Sequence, residues 1–267
     1  MKSYIQIKNR ISKFDKLINV SGDKSISIRC VLLASQAIGK SKIYNLLESE
    51  DVISTLKSIK KLGINYKKIK NYYEIRGFGL KGFNTKNKVI LNAGNSGTFA
   101  RLVLGLLVDS ENEITITGDK SLSRRDFSRV TNPLKMFGAT LKSKEDQLPV
   151  KIRGSQFLRP IEYFEKLGSA QCKSSVILAA LKTPGLTRIK AKKSRNHTEL
   201  LLKSLKLPIQ TSSSKYFDYI KIKGQNNFGS FNYSVPGDIS SCSFFLVLTL
   251  LSSNSKLKIK NININNS

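Results

Sequence analysis

Four glycine-led segments recur at nearly constant spacing along this chain of 267 residues, and that repeat restricts the fold more than any other feature. They read SGDKSISIRCVLLA (21–34), AGNSGTFARLVLGL (93–106), LGSAQCKSSVILAA (167–180) and PGDISSCSFFLVLT (236–249). Each has a glycine, a few small polar residues and then an apolar stretch. The glycines, Gly22, Gly94, Gly168 and Gly237, stand 72, 74 and 69 residues apart, and Arg29 and Arg101 each follow theirs by seven positions. A unit of this length cannot bury its apolar face alone and must stack on its neighbours.

The residues after each glycine also match. A β-rich run comes next (KSKIYNL, EITITG, LTRIKAK), then an amphipathic helix, then two strands ending YYEIRG, LPVKIRG and YIKIKG. The amphipathic stripes are Val52, Ile53, Leu56, Ile59 and Leu62 in the first unit, Phe127, Val130, Leu134 and Phe137 in the second, and Leu200, Leu201, Leu205 and Leu207 in the third. Ser49 is expected to cap the first of these helices, with Glu50 and Asp51 at its positive end. Gly63, Gly138 and Pro208 are expected to end the three. The chain therefore predicts an α/β domain of three repeated βαβαββ-like modules. A fourth unit starts at Gly237 and supplies one helix and one strand, LKIKNI. Half a module cannot cover itself, so either it packs on an N-terminal strand (3–8) or the natural protein continues past Ser267; the arithmetic favours the second.

Composition narrows the class. Hydrophobic residues make up 40% of the chain, and the best apolar run, FFLVLTLL at 244–251, is far short of the eighteen or so residues of a membrane helix. The N-terminus alternates like a strand and lacks a signal-peptide core, so the chain reads as soluble and cytoplasmic. The formal net charge is +28, yet only eleven of the 46 basic residues are arginine, and the lysines are dispersed. Nucleic acid is one partner that fits such charge, but no zinc-finger spacing, RNA-recognition motif or basic heptad accompanies it. Steering of small anionic substrates fits as well. Cys30, Cys172 and Cys242 have neither metal-ligand nor disulfide spacing and read as small core residues in a reducing compartment.

The helix mouths carry the chemistry. A helix start exposes unpaired N–H groups and partial positive charge, which suits an anion where the approach is small and glycine-rich. Any single mouth here could be an ordinary cap. Three aligned mouths, two with an arginine at the same offset, argue for more. If the modules pack around a pseudo-threefold axis, Lys24, Arg29, Arg101 and Arg125 surround one pocket for a ligand with several phosphate or carboxylate groups. The loops lack the Gly-Lys-Ser/Thr ending of a P-loop, which disfavours a nucleoside triphosphate.

SGDKSISIR (21–29), NAGNSGTFAR (92–101), TGDKSLSRRDF (117–127), GSAQCKS (168–174), SRNHTE (194–199) and VPGDISSCSFF (235–245) together resemble the 3-phosphoshikimate 1-carboxyvinyltransferase (EPSP synthase) family of the shikimate pathway. The resemblance implies the enolpyruvyl transferase fold, an inside-out α/β barrel with parallel helices inside and sheets outside. It implies transfer of the enolpyruvyl group of phosphoenolpyruvate to the 5-hydroxyl of shikimate 3-phosphate, with neither metal nor organic cofactor. For shikimate 3-phosphate it implies Lys24, Ser25, Arg29, Ser169, Ala170, Gln171, Ser194 and Arg195. For phosphoenolpyruvate it implies Lys24, Asn95, Gly97, Arg101, Arg125 and Gln171. The pairing of GSAQCKS with SRNHTE resembles the glyphosate-tolerant class.

The family has two domains with the site between them, and its acid/base carboxylates lie in the second. By that resemblance residues 1–19 form a strand of the other domain, 20–235 a complete three-module domain, and 236–267 the start of the second. The whole protein is expected to be a monomer, and this chain to need a complementary C-terminal fragment for turnover. A non-catalytic anion-binding remnant and a basic nucleic-acid-binding module are the alternatives. Two departures stand out. Asp126 follows Arg125 where the family has proline, and is expected to cap the following helix rather than weaken the arginine. His197, the only histidine, is expected at the surface of a helix start.

Overall fold

The structure, a computed structural model, describes residues 13–84, 88–224 and 226–265. The expected strand at 3–8 lies outside the described residues. The first module follows β1 (Asp15–Asn19) and comprises α1 (Lys24–Gln36), β2 (Ile38–Tyr44), α2 (Glu50–Lys61), β3 (Asn65–Ile69) and β4 (Tyr72–Phe78). The second comprises β5 (Val89–Asn92), α3 (Gly97–Leu106), β6 (Ile114–Thr117), a short α4 (Lys120–Ser123), α5 (Ser128–Met136), β7 (Thr140–Lys144) and β8 (Gln147–Arg153). The third comprises β9 (Glu162–Glu165), α6 (Ala170–Lys182), β10 (Leu186–Lys192), α7 (His197–Ser204), β11 (Ile209–Ser213) and β12 (Phe217–Lys223). Then come β13 (Asn232–Ser234), α8 (Ile239–Leu250) and β14 (Lys256–Lys260).

Three four-stranded sheets repeat one topology: β13-β2-β4-β3, β5-β6-β8-β7 and β9-β10-β12-β11. In each, the first strand lies parallel to the second and the remaining pairings are antiparallel. Modules two and three supply the parallel strand themselves, as β5 and β9, whereas module one borrows β13 from late in the chain. That loan closes the three-module arrangement. β14 pairs in parallel with β1 in a separate two-stranded sheet.

Helices inside and sheets outside follow from residue pattern. In α1, α3 and α6 small and apolar residues run all round the helix, which suits a buried position; Ile26–Gln36 and Cys172–Lys182 are buried throughout. The strands alternate instead. In β10, Thr187, Ile189 and Ala191 face inward while Arg188, Lys190 and Lys192 face out. The same alternation places Lys151 and Arg153 outside on β8. Much of the positive charge is thus a solvated outer skin.

Close backbone approach explains glycines that the repeat contains without comment. The β4, β8 and β12 strands each have a glycine in or just after their last two residues that lies against the end of that module's central helix. A Cβ on Gly77 would stand 2.4 Å from Ala34 O, one on Gly154 2.6 Å from Val108 O, and one on Gly224 2.2 Å from Ala180 O. Gly105 does the same between helices, where α3 meets α6: a Cβ there would lie 2.1 Å from Ser175 O.

Several expectations need correction. Ser49 occupies the N-cap of α2 but makes no capping bond with its hydroxyl; the two acidic residues of the first turn serve that end. In α7 the inward pair is Leu201 and Leu202, and Leu200 is 48% exposed, because α7 has only 8 residues and presents a different stripe. Val52, Leu56, Ile59, Leu62, Phe127, Val130, Leu134 and Phe137 are buried as expected. All three cysteines are free and buried. No helix among the described residues is long and apolar enough to cross a membrane.

Candidate functional site

The three central helices begin with equivalent caps. Asp23 Oδ1 accepts from Ile26 N at 2.9 Å, Ser96 Oγ from Phe99 N at 3.3 Å and Ser169 Oγ from Cys172 N at 3.3 Å. Each short side chain satisfies one orphan N–H, which stabilises a helix by about 1 kcal/mol. Between the mouths of α1 and α6 and the start of α7 lies a hollow of about 380 Å³. Ser25, Arg29, Ser169, Ala170, Gln171, Ser194 and Arg195 line it, together with Thr98, Gly168 and His197. Seven of the residues singled out from the sequence therefore meet in one place.

Arg29 is the best-anchored of them. Its side chain is buried, with Nε donating to Thr198 Oγ1 at 2.7 Å, Nη1 to Ser25 O at 2.9 Å and Nη2 to Ser174 Oγ at 3.1 Å. Burial pulls its pKa down to about 10, while Glu199 and Asp23 oppose that fall. It stays cationic at neutral pH, held in a fixed orientation by groups from modules one and three. A guanidinium in this setting is prepared for an anion before one arrives.

Module two supplies two further cations, Arg101 and Arg125, which stand outside the lining of the hollow; Arg101 reaches it through Gln171. Arg101 Nη1 donates to Gln171 Oε1 at 3.1 Å and to Gly97 O at 3.3 Å, and its guanidinium lies 4.7 Å over the Phe127 ring. Gln171 Nε2 in turn donates to Thr98 Oγ1 at 2.9 Å. Gly97 leaves room for two guanidinium groups, since a Cβ there would stand 2.7 Å from Arg101 Nη1 and 3.3 Å from Arg125 Nη1. Burial lowers the Arg101 pKa, and the like charges of Arg125 and Arg129 lower it further. Two arginines converging on one helix mouth favour an anion between them. Asp126 behaves as a cap: Oδ1 accepts from Ser128 N at 2.7 Å, the first residue of α5.

Two predicted residues point elsewhere. Lys24 lies outside the lining of the hollow, where Nζ pairs with Asp51 Oδ2 at 2.8 Å and the side chain is 46% exposed. Asn95 Nδ2 donates to Asp119 Oδ2 at 2.6 Å, and that carboxylate also caps α4 through Leu122 N. Its pKa is lowered, mainly by that backbone N–H and then by Asn95. His197 departs from its expectation. It is buried, lines the hollow, and has its pKa pulled down to about 4, first by burial and then by Arg29.

Beneath the lining lies a polar layer that sequence reasoning missed. Lys173, fully buried in α6, pairs with Glu199 Oε1 at 2.7 Å and Asp218 Oδ2 at 3.5 Å, and donates to Ser194 O at 3.3 Å. Glu165, also buried, accepts from Ser169 N at 2.9 Å and pairs with Arg129 at 2.9 Å. These networks hold the 165–169 and 194–199 loops that flank the hollow. A signal existed for Lys173: a cation one turn into a largely apolar helix needs a buried carboxylate partner.

A model of the EPSP synthase family (3-phosphoshikimate 1-carboxyvinyltransferase) matches residues 8–267. The 3-phosphoshikimate 1-carboxyvinyltransferase of Streptococcus mutans is 39% identical over 264 residues, which is 98% of this chain and 61% of that protein. The protein of the same name from Caldicellulosiruptor saccharolyticus is 41% identical over 267 residues, 98% of this chain and 60% of its own length. Among solved structures, an EPSP synthase from Acinetobacter baumannii superposes with a TM-score of 0.86 at 32% identity, covering 96% of this chain and 57% of that one. The chain thus spans about three fifths of the length of the relatives it matches.

Proposed function

The chain belongs to the EPSP synthase family, and from that premise we propose that it carries the shikimate 3-phosphate-binding part of a 3-phosphoshikimate 1-carboxyvinyltransferase. The observation that carries this reading is Arg29: a buried, triply hydrogen-bonded cation in a hollow shared with Ser25, Gln171, Ser194 and Arg195. Ser194 Oγ is buried with no hydrogen-bond partner among the described residues, a cost that a ligand oxygen would relieve. Ser169, Ser194 and Arg195 take the sugar phosphate, and Ser25 and Arg29 hold the ring substituents. Arg101 and Arg125, with the Asn95–Gly97 mouth, receive phosphoenolpyruvate. Gln171, bonded to Arg101 and lining the hollow, stands between the two ligands. Lys24 reaches both by leaving Asp51.

In the reaction the 5-hydroxyl gives up its proton as its oxygen bonds to C2 of phosphoenolpyruvate, and C3 gains a proton. Loss of phosphate from C2 and of a proton from C3 then restores the double bond. Fixed cations stabilise the charge that builds through both steps. The described lining of the hollow contains no carboxylate, and His197 is too weak a base to exchange protons well near neutrality. We therefore assign proton transfer to polypeptide corresponding to the other two fifths of the relatives. The α8 surface suits contact with it: Phe244, Val247, Leu250 and Leu251 are more than half exposed there, an apolar face that a partner segment would cover. The unit formed by 20–235 then acts as one wall of the site and 236–267, with β1, as part of the other. Three buried thiols support a reducing, cytoplasmic setting.

Calorimetric titration of the chain with shikimate 3-phosphate tests the assignment. Saturable binding that is lost in Arg195→Ala and Lys24→Ala supports it. Absence of binding, or binding indifferent to both substitutions, contradicts it.

A further inference from the structure

The segment after β14 makes a connection that the proposed chemistry does not use. Asn261 O accepts from Gly237 N at 2.6 Å, and Gly237 O accepts from Asn263 N at 3.0 Å, so residues 261–263 are stitched to the crossover at 236–238. From there two side chains reach the start of α7. Asn263 Nδ2 stands 3.1 Å from His197 Nε2, and Asn265 Nδ2 donates to Asn196 Oδ1 at 3.0 Å. Asn196 occupies the N-cap of α7 yet makes no side-chain cap bond. Asparagine is among the best N-caps, so a side chain that forgoes capping to meet Asn265 has been diverted to another task. The amide nitrogen of Asn263 has only hydrogens to offer. Only the Nδ1–H tautomer of His197 lets Nε2 accept from that amide nitrogen.

We infer that Asn263 and Asn265 are positioning residues that hold the Ser194–His197 loop in the shape that completes the anion hollow. The inference rests on the functional reading for its ligand but not for its geometry. Ser194, Arg195 and His197 all line the hollow, and Lys173 supports the loop from below through Ser194 O. Asn263 and Asn265 close it from the side of the small β1–β14 sheet. The arrangement links that sheet, through the crossover, to the loop proposed to bind the sugar phosphate.

The only histidine of the chain makes the test clean. Long-range proton–nitrogen correlation spectra of the labelled chain at neutral pH should show His197 as the Nδ1–H tautomer. Asn263→Asp, whose carboxylate only accepts, should convert it to Nε2–H. Asn263→Ala and Asn265→Ala should speed amide hydrogen exchange of residues 195–199 without changing that of the α3 core. They should also weaken shikimate 3-phosphate binding about three- to tenfold, the equivalent of one neutral hydrogen bond. Asn263→Gln should recover part of the loss. An unchanged tautomer in Asn263→Asp, or unchanged exchange at 195–199, overturns the inference. If the unaltered chain binds no shikimate 3-phosphate, the functional reading falls, and the tautomer and exchange results still decide this one.

Discussion

Arg29 Nε donates to Thr198 Oγ1 at 2.7 Å across 169 residues of sequence, which joins the mouth of α1 to the first turn of α7. Arg29 thereby has two duties, as a packing element between modules one and three and as a cation in the hollow. Lys24, four tenths to one half exposed and paired with Asp51, has no comparable structural duty. The two can be separated experimentally. Arg29→Ala should abolish shikimate 3-phosphate binding and lower stability by about 2–4 kcal/mol, because it strips partners from buried polar groups. Lys24→Ala should lower stability by less than about 1 kcal/mol, as for a surface ion pair, and still impair binding. Urea unfolding beside ligand titration reads both.

The Lys173 and Glu199 pair predicts non-additivity. Lys173→Met leaves Glu199 buried without its 2.7 Å partner, which should cost on the order of 3–5 kcal/mol. Adding Glu199→Gln should recover a large part of that loss, since the uncompensated charge goes with it. A double-mutant cycle on urea midpoints checks the coupling, and strictly additive effects would show that the pair is not one unit.

Glycines at close approaches should be intolerant in proportion to the overlap. Gly105→Ala and Gly224→Ala push a methyl group into backbone oxygens at 2.1 and 1.9 Å and should cost about 3 kcal/mol or more by forcing packed elements apart. Gly229→Ala meets nothing within 4 Å and should stay within about 0.5 kcal/mol of the parent. Thermal or urea unfolding distinguishes the two classes.

Part of this was legible in the sequence for a physical reason. The glycine-led mouths recur because three helices must start in the same way, so Arg29 and Gln171 could be picked out, whereas Ser194 rests only on the resemblance of SRNHTE to the family. The layer that fixes them could not be picked out. Thr198, Lys173, Glu199 and Glu165 act through partners far apart in the chain, and no local period marks them. β13 escaped notice because three residues, Asn232–Ser234, are too few to show alternation. His197 read as a surface residue because its burial depends on Asn263 and on the neighbouring loop. The motif places Lys24 in the pocket, whereas the carboxylate of Asp51 holds it aside.

His197 also predicts a pH dependence. Its folded pKa of about 4 lies below the unfolded value near 6.5. Between these pH values the unfolded chain binds the proton and the folded chain does not, so stability falls as pH drops through this window and the loss is complete below about 4. The full effect is on the order of 3 kcal/mol. Because carboxylates titrate nearby, the comparison is with His197→Gln: the parent should lose more stability than the variant between pH 7 and 4. Equal pH profiles would contradict the buried neutral imidazole.

The central claim is that the hollow between α1, α6 and α7 receives a sugar phosphate, and the His197 ring signal tests it most directly. Addition of shikimate 3-phosphate to the chain should shift the single histidine C–H resonance along a saturable curve, and Arg195→Ala should flatten it. A histidine signal that stays unmoved while the ligand is bound elsewhere, or not bound at all, would contradict the account.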